Sequence, residues 1–110
     1  MTDQKRALYE RAIRTYGAQA QIFKAVEELG ELASAVSRYE AASINGEGER
    51  LPGLLKNVAE EIADVRITLE QLCMIYEIEI EAGGWEWSKL ARLKARLDSF
   101  ERAGEGSEDP

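Results

Sequence analysis

The chain contains no histidine, a single cysteine (Cys73) and only two prolines among its 110 residues. Without imidazole it cannot build a Ser-His-Asp or Cys-His catalytic group, an imidazole zinc site, or the Glu-x-x-His pattern of di-iron carboxylate proteins. A lone cysteine excludes an intrachain disulfide and any Cys-x-x-Cys site, and it points to a reducing cytoplasm. No apolar run approaches the about 18 residues of a membrane helix, and Met1 to Arg14 is charged and amphipathic. Neither a membrane span nor a secretory signal is expected. Positive charge is also scarce: 14 basic against 21 acidic residues give a net charge of −7. That balance argues against nucleic acid or an anionic membrane as a partner.

What is present is globular and helical. The hydrophobic fraction is 45% and the charged fraction 32%, the balance of a folded domain rather than a disordered chain. Ala, Leu, Glu, Lys and Arg dominate, all strong helix formers. Residues 1–103 read as one all-α domain, a bundle of about four helices with two long central ones, and residues 104–110 as a flexible acidic tail. The first helix is expected from Asp3 to Tyr16, capped by Thr2 or Asp3 and stopped by Gly17, with Ala7, Leu8, Ala12, Ile13 and Tyr16 on its buried face. The second runs from Ala18 to about Ala42 with a seam of Ile22, Val26, Leu29, Ala33, Val36 and Tyr39 or Glu40.

Ser43 to Arg50 holds two glycines and an asparagine and reads as a loop. Pro52 suits the first turn of the next helix, and Asn57 to Ile80 reads as one long helix with a seam of Leu55, Val58, Ile62, Val65, Leu69, Leu72 and Tyr76. Ala63, Ile67, Met74 and Ile78 lie outside that seam. A helix apolar on two sides is central or pairs with another chain, so a homodimer or homotetramer is expected. Ala82-Gly83-Gly84 reads as a turn. Trp85 to Arg102 reads as a shorter helix with Leu90, Leu93, Leu97 and Phe100 inward.

The chemistry-bearing residues are acids. Glu27, Glu28 and Glu31 form E-E-x-x-E on the second helix, and at about 100° per residue all three project from one arc. Glu61 and Asp64 form E-x-x-D on the third helix, beside the seam residues Val58 and Val65. Like charges at these spacings destabilise a helix by a few tenths of a kcal/mol per pair, more when partly buried. Two such clusters beside core stripes call for a cation, and an oxygen-only set suits Mg2+ or Mn2+ rather than zinc or copper. Each motif alone is also compatible with ordinary solvated glutamates.

Gln21 to Val36 (QIFKAVEELGELASAV) followed by Asn57 to Leu72 (NVAEEIADVRITLEQL) resembles the MazG-type nucleotide pyrophosphohydrolases of the all-α NTP pyrophosphatase superfamily, and within it the short phage and bacterial MazG-like proteins. Thr15-Tyr16-Gly17 and Lys89 to Leu93 are similar as well, so the likeness spans roughly residues 15 to 97. The resemblance implies magnesium-dependent cleavage of a (deoxy)nucleoside triphosphate between its α and β phosphates, giving monophosphate and pyrophosphate. It also implies Glu28, Glu31, Glu61 and Asp64 as metal ligands. The 29 residues between Glu31 and Glu61 are on the long side for the family, because of the Gly-rich loop.

With no histidine present, a carboxylate is the natural group to activate water. Glu27 is the nearest acid outside the ligand set, beside Glu28 and Glu61 as the other candidate catalytic acids. Lys24 and Asn57 each lie one turn before a motif acid and could hold phosphate or sugar; a salt bridge and a helix cap are their plainer roles. Arg92, with Lys89, Lys94 and Arg96, makes the last helix the most basic part of the chain and a candidate for binding the polyphosphate. Trp85 and Trp87 could stack on a base or pack a bundle end. The alternative to an enzyme is a helical oligomerisation or regulatory module whose acids are structural.

Overall fold

The computed structural model describes residues 1–107, and every regular element in it is helical. Four α-helices follow in order: α1 (Asp3–Tyr16), α2 (Ala18–Ile44), α3 (Leu51–Ile75) and α4 (Glu79–Ser107), with a 3-10 turn at Gly48–Arg50 before α3. The chain divides into two compact units, Met1–Glu77 and the segment from Ile78 onward. Among the described residues no helix is long and apolar enough to cross a membrane.

The start and stop of α1 follow from local chemistry. The Thr2 hydroxyl accepts the Lys5 backbone N–H at 3.2 Å, satisfying one of the orphan donors of the first turn. Gly17 ends the helix at φ 94, ψ 146, a conformation that only glycine adopts cheaply, and its N–H returns to the Ile13 carbonyl at 2.8 Å. Because the same residue opens α2, the two helices join with no intervening loop.

A short connection then folds α3 back along α2, so the two long helices pair as an antiparallel hairpin, the main packing of this unit. The turn is defined: Gly46 adopts φ 72, the Glu47 N–H reaches the Ala42 carbonyl at 2.9 Å, and Arg50 pairs with Glu47 at 3.2 Å. The expected eight-residue loop is therefore shorter, beginning only after Ile44. Pro52 sits in the first turn of α3, where its missing N–H costs nothing.

On α2 the hairpin core differs from the expected seam by one residue, whereas on α3 Val65 of the expected seam is buried. On α2 the buried positions are Gln21, Ala25, Glu28, Ala35 and Ala42, not Ile22, Val26, Leu29 and Val36. On α3 they are Val65, Thr68 and Gln71, with Val58 and Leu72 half-buried and Leu55, Ile62, Leu69 and Tyr76 exposed. Alanine methyls permit close helix approach, which favours the small-residue row over the larger one beside it. Thr68 satisfies its buried hydroxyl within the helix, donating to the Asp64 and Val65 carbonyls at 3.1 and 3.0 Å. On α1 the buried side chain is Tyr9, while Leu8 and Tyr16, expected inside, are exposed.

Three boundaries near the end of the chain are corrected as well. The long helix stops at Ile75 rather than Ile80, and Glu77 takes a left-handed φ of 56. Ala82-Gly83-Gly84 lies inside α4 instead of forming a turn, with the Ala82 N–H bonded to the Ile78 carbonyl at 2.8 Å. Helical hydrogen bonding through both glycines outweighs their propensity penalty of about 1 kcal/mol each. Gly104–Ser107 continues α4 where a flexible tail was expected, and the remainder of that expected tail lies outside the described residues. Leu90, Leu93, Leu97 and Phe100, expected inward, are exposed.

Candidate metal centre

Glu28 and Glu31 lie one turn apart on α2, and Glu61 faces them from α3 across the antiparallel hairpin. One carboxylate oxygen from each lies within 4.8 Å of the other two. Glu28 belongs to the buried row of α2 and is only 6% exposed; Glu61 is half-buried and Glu31 exposed. The group therefore opens from the helix interface toward solvent.

The electrostatics of this cluster are unbalanced. Lys24, one turn before Glu28, brings its ammonium to 3.6 Å from Glu28 Oε1 and supplies one positive charge. Glu28 Oε2 and Glu61 Oε2 are buried and have no hydrogen-bond partner. A buried acceptor left unpaired costs about 1–3 kcal/mol, more when charged. Burial pushes the Glu61 carboxyl up to about 6, assisted by its close carboxyl–carboxyl contact with Glu28 and by the charges of Glu31, Glu28 and Asp64. Glu31 is raised from the usual carboxylate range chiefly by the charge of Glu28, then by burial and by Glu27, while its contact with Glu61 acts the other way. Like charges crowded at one point favour the protonated form of each carboxyl.

Three carboxylates from two helices, two of them carrying an unsatisfied buried oxygen, fit a hard divalent cation in both donor type and charge. Asp64 lies outside this group of three: it is exposed, one turn beyond Glu61, and acts on Glu61 through its charge. Glu27 is exposed and close enough to raise Glu31. Asn57 is half-buried one turn before Glu61, and Lys24 is exposed and engaged with Glu28. Arg92 is exposed on α4, in the other unit.

A second polar group, on α1 and α3, was not anticipated from the sequence. Tyr9 is buried and its hydroxyl donates to Glu70, whose carboxylate also lies 3.6 Å from Lys5 Nζ. Burial foremost, then the Glu70 charge and this hydrogen bond, raises the Tyr9 phenol above its ordinary value. Tyr9 and Glu70 also line a groove of about 490 Å³ between the two helices, together with Leu8, Ala12 and Ile67. The only signal for it in the sequence is an aromatic beside the apolar stripe of α1, too common a pattern to single out.

No described protein family, curated protein or solved structure matches this chain.

Proposed function

We propose that the chain is a magnesium-dependent nucleoside triphosphate pyrophosphohydrolase of the MazG-like kind, acting in the cytoplasm on a (deoxy)nucleoside triphosphate. One observation carries the reading: Glu28, Glu31 and Glu61 converge within 4.8 Å while two of their buried oxygens lack partners. Glu28, Glu31 and Glu61 would hold the ion, with Asp64 beside them. Bound there, magnesium (or manganese in its place) supplies charge neutralisation at the phosphoryl oxygens, without which an acidic chain would repel its substrate.

The chain's own residues divide the remaining work. Glu27 is outside the group of three and exposed, so it is free to take the proton of the attacking water as that oxygen joins phosphorus and the bond between the α and β phosphates breaks. Lys24 pairs with Glu28 and would offer its ammonium to a phosphate oxygen once substrate is bound. Asn57, one turn before Glu61, offers an amide donor to phosphate or sugar.

The test is pyrophosphate release from a panel of canonical and modified nucleotides with magnesium or manganese. Release that is metal-dependent and lost in Glu61→Gln, with helical circular dichroism retained, supports the reading. No release across the panel with either metal refutes it and favours a non-enzymatic helical module.

A further inference from the structure

We propose that the groove between α1 and α3 is a binding site for a small α-amino acid with an apolar side chain. It lies on the side of α3 turned away from the carboxylate cluster: Glu70, which lines it, comes nine residues after Glu61, half a turn round the helix. Glu28, Glu31 and Glu61 take no part in it, so this site and the proposed metal centre fail separately.

Two acceptors mark the site. Gln71 is only 7% exposed and lines the groove, yet its Oε1 has no hydrogen-bond partner. Beside it, Glu70 Oε2 is buried and equally unpartnered. Folded chains pair nearly all of their buried acceptors, so two neighbours left open on one groove call for donors from outside the chain. Neither oxygen meets solvent, but the last torsion of Glu and Gln is broad, and a small rotation presents each to a donor in the groove. The donors of α1 do not meet the need. Tyr9 gives its hydroxyl proton to Glu70 and leaves Oε2 open, while the Lys5 ammonium stands 3.6 Å from the other oxygen, beyond hydrogen-bond length.

Charge selects the ligand. Lys5 and Arg66 line the groove with Glu70, two positive charges against one negative. A lone amine would satisfy the two acceptors but meet two cations. A lone carboxylate would suit Arg66 but leave both acceptors open and face Glu70. An ammonium and a carboxylate on one carbon answer both demands. The ammonium has three donors for Glu70 and Gln71, and the carboxylate takes the guanidinium fork of Arg66, exposed one turn before Glu70. Leu8 and Ile67, on the same groove, are 61% and 44% exposed, and a branched or aromatic side chain would cover them. The volume of about 490 Å³ falls within the about 300–1,000 Å³ of ordinary small-molecule sites.

Calorimetric titration of the full chain at pH 7.5 and at two temperatures tests the site, with L-phenylalanine and L-leucine as probes. An open groove and a ligand of about ten heavy atoms lead to a Kd of about 0.1–1 mM. 2-Phenylethylamine lacks the carboxylate and 3-phenylpropionate the ammonium; each should bind at least about ten-fold more weakly than L-phenylalanine, having lost one charge-assisted contact. Glu70→Gln should weaken both amino acids by at least about ten-fold. Should that variant lose helical circular dichroism, Arg66→Gln, at an exposed position, keeps the fold and must weaken them by the same factor. Arg38→Gln, on α2, should leave the affinity unchanged. Equal binding of the amine or of the acid overturns the proposal, as does unchanged affinity in Arg66→Gln. Absence of heat from both amino acids at both temperatures overturns it too, and a sedimentation mass then lowered by Leu8→Glu would assign the groove to a second copy of the chain.

Discussion

Glu61→Gln should stabilise the metal-free protein while removing its response to magnesium. The side chain it replaces sits half-buried against Glu28 and Glu31 with one oxygen unpartnered, and its carboxyl is raised from 4.5 to about 6. A carboxyl that binds its proton more tightly when folded contributes stability below the unfolded value of about 4.5. That contribution is lost as pH rises through the folded value of about 6. The metal-free wild type should therefore weaken between pH 5 and pH 7, with Glu31 adding in the same direction. Glutamine carries no charge to lose, so the variant's advantage is small near pH 4.5 and complete above about pH 6.5. Magnesium reverses the order at pH 7.5. A ligand at 100 times its Kd stabilises by about 2.7 kcal/mol, which for a chain of this size raises Tm by roughly 10 °C. The wild type should gain that increment and Glu61→Gln almost none. Differential scanning fluorimetry across pH, with chelator and with magnesium, measures all four values. A variant no more stable than wild type in chelator at pH 7.5 would refute the reasoning, because the three carboxylates would then not be repelling one another.

Three further sets of variants test the proposed function and the fold. Lys24→Glu should raise KM for the nucleotide more than it lowers kcat in steady-state assays, the signature of a phosphate contact held equally in ground and transition states. Tyr9→Phe removes a donor from Glu70 and should cost about 1–2 kcal/mol in urea unfolding. Because the Tyr9 phenol is raised, its contribution is present below about pH 10 and lost as pH rises through the higher folded value. The Tyr9→Phe chain should accordingly resist alkaline unfolding better, relative to its own neutral stability, than the wild type does. Gly83→Ala with Gly84→Ala should raise helicity by circular dichroism, since each alanine favours an interior helix position by up to about 1 kcal/mol; a loss of helicity would restore the turn at that place.

The parts of this fold that were legible in the sequence are those governed by local chemistry. Thr2 and Gly17 bound α1 because a cap oxygen and a left-handed glycine act within a few residues of themselves. The acidic motifs were legible for the same reason: a spacing of three or four residues fixes a shared face wherever the helix goes. Choices settled by tertiary packing were not legible. The two apolar rows of α2 differ by one residue, and periodicity alone favours the bulkier one; the methyls of Ala25, Ala35 and Ala42 win because a second helix must come close. The break between α3 and α4 falls at Glu77, a residue with no preference for its left-handed backbone, while the Gly-Gly pair that looks like a turn is helical. Convergence of three carboxylates could be anticipated from the motifs, but the weaker engagement of Asp64 depends on side-chain reach across a gap whose width no spacing rule supplies.

That gap is itself set by alanine. Ala25 is 0% exposed and lies one turn from Glu28; Ala35 and Ala42 are each 1% exposed further along the same row. Their methyl groups act as a gauge block between α2 and α3, fixing how far apart the two halves of the acidic cluster are held. A wider spacer would leave the glutamates intact and their helices folded, yet draw Glu61 away from Glu28 and Glu31. Octahedral coordination of magnesium tolerates oxygen distances of about 2.0–2.1 Å and little more, whereas calcium accepts 2.3–2.6 Å and a looser shell. For the divalent ion proposed here, the choice between the two would rest partly on residues that never touch it: Ala25→Val should shift the preference from magnesium toward calcium, read as a change in the ratio of the two binding constants in a calorimetric titration.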